Sequence, residues 1–254
     1  MTPLDELFLE HGPRYDLVVG EPDAGDGDGD RAWLPSDRLL DPSGAELGVL
    51  LDAETEGSGH RTAHAAALTL IAVYAGRVTA AAVLDWALHG RVWDVRPENV
   101  LVRPAAHGIG GVRLREARTL DSSLASLHGA VLHTHLLPLA DALHARTRAG
   151  LRQLRGGVAH GCATALCASR GAVRELAPRW QEFSEGTGLE RLGEVVEVAG
   201  RLRYLRRTCC LFYTSAESGR CASCCLTPRD ERIRAYARAA VPPLPPTSPP
   251  PGRR

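Results

Sequence analysis

Apolar residues recur at helical spacing through Leu68, Ile71, Ala72, Ala75 and Val78, and again through Val83, Trp86 and Ala87. The period predicts two helices beginning after His60 and closing near Gly90. Two strand-length runs follow, NVLVR (Asn99 to Arg103) and VRLRE (Val112 to Glu116), joined by the glycine-bearing PAAHGIGG. They predict an antiparallel β-hairpin. Helical spacing returns over Asp121 to Arg146, with Asp121 as a cap and Pro138 opening a second segment. Gly156 to Leu176 reads as a helix of small residues that permits close packing. Its Cys162 and Cys167 lie on different faces and read as buried small hydrophobes. Arg179 to Arg207 adds one or two further helices, or a helix and a strand.

The first sixty residues lack such a period. Asp16 to Gly20 and Leu47 to Leu51 are short apolar runs of strand length between Gly, Pro and Asp punctuation. Asp23 to Arg31 alternates aspartate and glycine, but a calcium loop begun at Asp26 would need Gly at position 31 and Glu at 37, where Arg31 and Asp37 stand. It reads as an acidic loop. The terminal VPPLPPTSPPPGRR is polyproline-like and expected to be disordered. The expectation is an α+β protein, predominantly helical, with a small antiparallel hairpin and a C-terminal cysteine subdomain. Its divisions fall at residues 1–59, 60–194, 195–230 and 231–254.

Charge changes this picture little until it is placed along the chain. Thirty basic and thirty acidic residues cancel, and every basic one is arginine. Acids crowd the first sixty residues; arginines crowd the stretch from Arg201 to Arg238. That stretch has no finger or helix-turn-helix spacing, so nucleic acid is not an expected partner. His128, His133, His135 and His144 read as satisfied or exposed residues, since His133 and His135 point to different faces of a helix. No run of about 18 apolar residues is present, so no transmembrane segment is expected. The start carries acids before its apolar residues and no basic stretch, which points to a cytoplasmic protein. Peripheral association with the inner membrane face is compatible with that.

In a reducing compartment, clustered cysteines read as metal-binding or redox groups. Five of the seven cysteines fall between Arg206 and Cys225: Cys209, Cys210, ten residues, Cys221, two residues, Cys224, then Cys225. Two thiolate clips joined by a short loop meet the requirement of a tetrathiolate centre, for which zinc and a [2Fe–2S] cluster are both candidates. Adjacent cysteines bite poorly on one tetrahedral ion and suit the wider span of two irons. A vicinal disulfide would be strained and would leave an odd thiol. Arg206, Arg207 and Arg220 would offset the negative charge of an iron–sulfur centre and raise its potential.

The pattern RRTCCLFY followed by CASC resembles the C-terminal motif of the FhuF-type ferric-siderophore reductases, which bind a [2Fe–2S] cluster through Cys-Cys-x10-Cys-x2-Cys. Upstream, VLDWALHGRVWDVRPENVLVR, HLLPLADAL and VAHGCATALCAS are similar to that family's helical passages. The resemblance spans most of residues 60 to 226. It implies Cys209, Cys210, Cys221 and Cys224 as cluster ligands, with Cys225 where the family often has proline. It implies one-electron reduction of Fe(III) in an imported, hydroxamate-type siderophore and release of Fe(II). Arg206, Arg207, Tyr213 and Arg220 become candidate contacts to the ferric siderophore. No Rossmann glycine fingerprint is present, so the electron is expected from reduced ferredoxin, a flavin or a flavoprotein. A zinc-ribbon interaction module, a [2Fe–2S] electron carrier and a relative of siderophore-biosynthesis proteins are the alternatives.

Overall fold

The computed structural model describes residues 3, 4, 6, 7, 17–22, 32–105, 108–167, 173–216 and 219–240. The acidic loop at 23–31 lies outside them, and so does the proline-rich tail. Helices α1 (Ala45–Ser58), α2 (Ala63–Val78) and α3 (Ala80–His89) open the helical part. The Thr62 side chain caps α2 by accepting from the Ala65 N–H. Thr79 bonds its hydroxyl back to the Ala75 carbonyl and sits at a 44° bend between α2 and α3. Gly90, at φ 72°, closes α3 in the left-handed conformation, as the spacing predicts.

Strands β1 (Leu17–Val19), β2 (Leu34–Pro35), β4 (Val100–Ala105) and β5 (Gly108–Leu114) form a sheet in the order β1-β5-β4-β2. β4 and β5 pair antiparallel, and β1 runs parallel to β5. The expected hairpin is present, but Gly108, Gly110 and Gly111 lie within β5 instead of the connection. Two short strands, β3 (Val92–Trp93) and β6 (Thr119–Leu120), pair beside it. Helix α4 (Leu124–His128) runs through a π-helical stretch, Gly129–Leu136, into α5 (Leu137–Thr147), which starts with Pro138 in its first turn. The cap of α4 is Ser123; Asp121 instead accepts hydrogen bonds from the Ser123 N–H and the Ser126 hydroxyl.

Helix α6 (Leu151–Cys167) packs along α2. Its small residues permit the close approach: a Cβ on Gly161 would stand 2.6 Å from the Gly76 nitrogen, and one on Gly157 2.5 Å from the Ile71 side chain. Tyr74, Leu68, Ile71, Leu84 and Phe183 are fully buried in the shared core. Each such side chain contributes roughly 1.5–3 kcal/mol by leaving water. Helix α7 (Val173–Ser184) and a second hairpin, β7 (Gly193–Val198) with β8 (Arg201–Arg206), settle the choice left open over residues 179–207. Helix α8 (Arg229–Ala240) ends the described chain where only a basic segment was expected. The fold is α+β and predominantly helical. No single helix among the described residues is long and apolar enough to cross a membrane.

One expectation fails in the N-terminal region. Leu47 to Leu51 belongs to α1, where Leu47, Leu50, Leu51 and Glu54 bury one face at helical spacing. The run has strand length, but its partners on the same face extend past it. The histidines behave as expected: His135 is bonded to Tyr74 and the Val95 carbonyl, His128 to the Phe183 carbonyl, and His144 to the Ala149 carbonyl. Cys162 is fully buried; Cys167 is half-buried.

Candidate metal centre

Strand β8 delivers the first cysteine clip. Leu202, Tyr204 and Arg206 alternate on its buried face, and the Arg207 N–H bonds to the Leu192 carbonyl at the hairpin's end. Thr208 then packs directly on Gly156 of α6, where any side chain would clash. Leu211 takes a left-handed conformation at φ 56°, uncommon for leucine, and so aims its N–H at the Cys209 sulfur, 3.4 Å away. A 3-10 turn, Phe212–Thr214, follows, and the Ala216 N–H binds the Ser58 carbonyl at the end of α1.

The second clip is a turn in which the Cys224 N–H bonds to the Cys221 carbonyl. Arg232 of α8, itself buried, joins the two clips: its Nη1 donates to the Arg206 carbonyl at 2.9 Å and to the Ser223 carbonyl at 3.3 Å. The clips meet as two pairs of sulfurs. Cys210 Sγ lies 3.9 Å from Cys221 Sγ, close to the spacing of about 3.8 Å for two thiolates held at about 2.3 Å by one tetrahedral metal. Cys225 lies against Cys209. Among the described residues, no three His, Cys, Asp or Glu side chains converge as ligands of a single ion.

The thiols perturb one another. Contact with Cys221 holds Cys210 below the ordinary thiol range, against the opposing effect of burial and with help from Arg206. The same contact, then burial, pushes Cys221 up. Burial raises Cys225, and nearby Cys209 and Cys224 add to that. Arg206 is only 3 % exposed, yet its Nε and Nη2 have no hydrogen-bond partner. A buried guanidinium in that condition favours an anion beside it.

Cys210 and Cys221 form part of the wall of a cavity of about 440 Å³. One side is α2, through Thr69, Ala72, Val73, Gly76 and Arg77; the other is α6, through His160, Thr164 and Ala165. Arg206 and Phe212 complete the described wall. Arg77 is held by a 2.7 Å bond from its Nη1 to the Ile109 carbonyl.

Of the arginines and the tyrosine expected near the centre, only Arg206 lines this cavity. Arg207, Tyr213 and Arg220 are exposed and absent from its wall. Arg232, Arg77 and His160 were not anticipated. The signal for Arg206 was present in the alternation Leu202, Tyr204, Arg206, which puts it on the buried face of β8.

The residues fit an anionic binuclear cluster: Cys210 with Cys221 and Cys209 with Cys225 stand as two pairs, buried Cys224 adjoins the second, and an unsatisfied buried guanidinium lies against the first. Residues 206–226 match the family model described as the FhuF 2Fe-2S C-terminal domain. No curated protein matches the chain. The resemblance read from RRTCCLFY and CASC holds over this segment, and the cofactor of the cysteine cluster is a [2Fe–2S] centre.

Proposed function

We propose that the protein is a ferric-siderophore reductase, with Cys209, Cys210, Cys221 and Cys224 as the ligands of its cluster. The observation that carries this reading is that two of those sulfurs, Cys210 and Cys221, stand in the wall of a cavity between α2 and α6. A chelate in that cavity would lie beside the cluster without displacing any ligand. The cluster, when bound, supplies storage for a single electron.

The chain's own residues supply the rest. Arg206 offsets the negative charge of the sulfur cage and, by favouring the more negative form, raises its potential. The Leu211 N–H does the same at Cys209. The packed α2 and α6 faces shield one side of the acceptor from water. In the net reaction one electron passes from a reduced ferredoxin or flavin to Fe(III) in the chelate. The donor is oxidised by one electron and no covalent bond in the siderophore breaks. Fe(II), softer and less charged, is held far more weakly by hard oxygen ligands, so reduction releases it. In this reading the reaction follows import of the ferric siderophore into the cytoplasm.

The test is the rate at which chemically reduced protein yields Fe(II) from a ferric hydroxamate. Wild type should be faster than the Cys221→Ser variant by at least tenfold. Equal rates would refute the proposal.

A further inference from the structure

Building on the reductase reading, we propose that the cavity between α2 and α6 binds ferric chelates of net negative charge, carboxylate-bearing oxygen complexes of the citrate kind, in preference to uncharged tris-hydroxamates, and that Arg77 is the residue that makes the distinction.

The α2 face supplies the space. Thr69, Ala72, Val73, Gly76 and Arg77 follow one another at intervals of three and one, which is a single helical stripe. The neighbouring stripe through Leu70, Ile71, Tyr74 and Val78 is buried in the core, but this one is open to the cavity. Its small residues leave room that larger ones would fill. At about 440 Å³ the space falls within the usual range of roughly 300–1,000 Å³ for small-molecule sites.

The charge of the lining favours an anion. Arg77 and Arg206 both face the space, and no carboxylate lines it among the described residues. Neither arginine has an ion-pair partner among the described residues. Arg206 is buried with two nitrogens unsatisfied. Arg77 spends one nitrogen on the Ile109 carbonyl, which fixes the guanidinium while leaving its other donors for a ligand. The two cations are needed together. A chelate approaching a negative cluster is repelled if it is itself negative, and Arg206 lies against the cysteines whereas Arg77 lies across the cavity on α2. Arg77 therefore recognises the chelate's own carboxylates, bidentate geometry being the strength of a guanidinium. The Thr164 hydroxyl donates to the Gly161 carbonyl, so its oxygen lone pairs accept from a ligand hydroxyl.

Gallium(III) complexes test this, because they copy the ferric charge and shape and are not reduced. The cluster-loaded protein is titrated with gallium(III) citrate and with uncharged gallium tris(acetohydroxamate). The citrate complex should bind at least tenfold more tightly. Arg77→Gln should reduce that preference to twofold or less with the cluster's visible absorption unchanged, and Arg77→Lys should retain part of it. Equal binding of the two complexes, an unaltered preference in Arg77→Gln, or equally tight binding of metal-free citrate would each overturn the proposal. The outcome is separable from the reductase reading. Selective binding without turnover of either ferric citrate or a ferric hydroxamate sinks the reductase and leaves the site standing, whereas turnover without selectivity does the reverse.

Discussion

Cys210 Sγ and Cys221 Sγ lie 3.9 Å apart although ten residues separate them in the chain. The contact joins the end of a β-hairpin to a turn that Arg232 and the Cys225–Cys209 contact also tie to it. It also places both sulfurs at the wall of a cavity whose other sides are two core helices. A redox centre and a sheltered acceptor site thus share one boundary.

The fourth ligand can be identified by iron and acid-labile sulfide analysis. Cys225→Ser should keep near wild-type content. Cys224→Ser should lower it without abolishing it, because Cys225 already lies against Cys209 and offers a substitute sulfur. The double variant should retain none. Greater loss in Cys225→Ser than in Cys224→Ser would exchange the roles of these two residues.

Arg206→Gln should lower the reduction potential of the centre. A unit charge about 6 Å away at an effective dielectric constant of about 20 is worth about 3 kcal/mol, on the order of 100 mV for one electron. Arg206→Lys should recover most of the loss. A potential unchanged in the glutamine variant, measured by redox titration, would remove Arg206 from this role.

Arg232 ties the two clips through the Arg206 and Ser223 carbonyls. Hydrogen bonds from a charged donor contribute about 1.5–3 kcal/mol each. Arg232→Ala should therefore lower stability by a few kcal/mol and speed cluster loss to a chelator, followed as bleaching of the visible absorption. Bleaching at the wild-type rate would contradict the bridge.

His135 makes the fold sensitive to pH, beside His60 and His128, which burial also holds below the ordinary imidazole range. Burial pushes its pKa down to about 4, although the Val95 carbonyl, which accepts from Nδ1–H, opposes that shift. With Nδ1 protonated, the neutral ring accepts at Nε2 from the Tyr74 hydroxyl 2.7 Å away. Between pH 4 and about 6.5 the unfolded chain binds the extra proton, so stability rises with pH. The contribution, about 3 kcal/mol by the size of the shift, is fully present above about pH 6.5 and is lost as pH falls toward 4. In urea denaturation, His135→Gln should be less stable at pH 7 and should show a shallower slope. A slope shared by variant and wild type would assign it elsewhere.

Much of this was legible in the chain. The apolar spacing of Leu68 to Ala87 with Gly90 after it specifies α2 and α3, because core contact and a left-handed cap leave a periodic trace. The cysteine motif carries its own spacing. Helix α8 left no such trace: its most buried residue is Arg232, and a pattern of apolar and polar positions treats an arginine as solvated. The cavity was equally hidden. Thr69, Ala72, Val73 and Gly76 have the spacing of a packed face, and only the fold determines that a cavity opens along the edge of the α2–α6 contact they share. Arg77 and His160 reach the site from helices remote in sequence from the cysteines, so local spacing could not connect them.

The most direct test of a redox centre bordering an acceptor cavity uses chromium(III) citrate, a paramagnetic and redox-inert stand-in for the ferric complex. The reduced protein should give an EPR signal of about one spin per chain, and the chromium complex should shorten its relaxation strongly, an effect lost in Arg77→Gln. A reduced protein without signal, or a signal whose relaxation is unchanged at saturating chromium complex, would contradict the account.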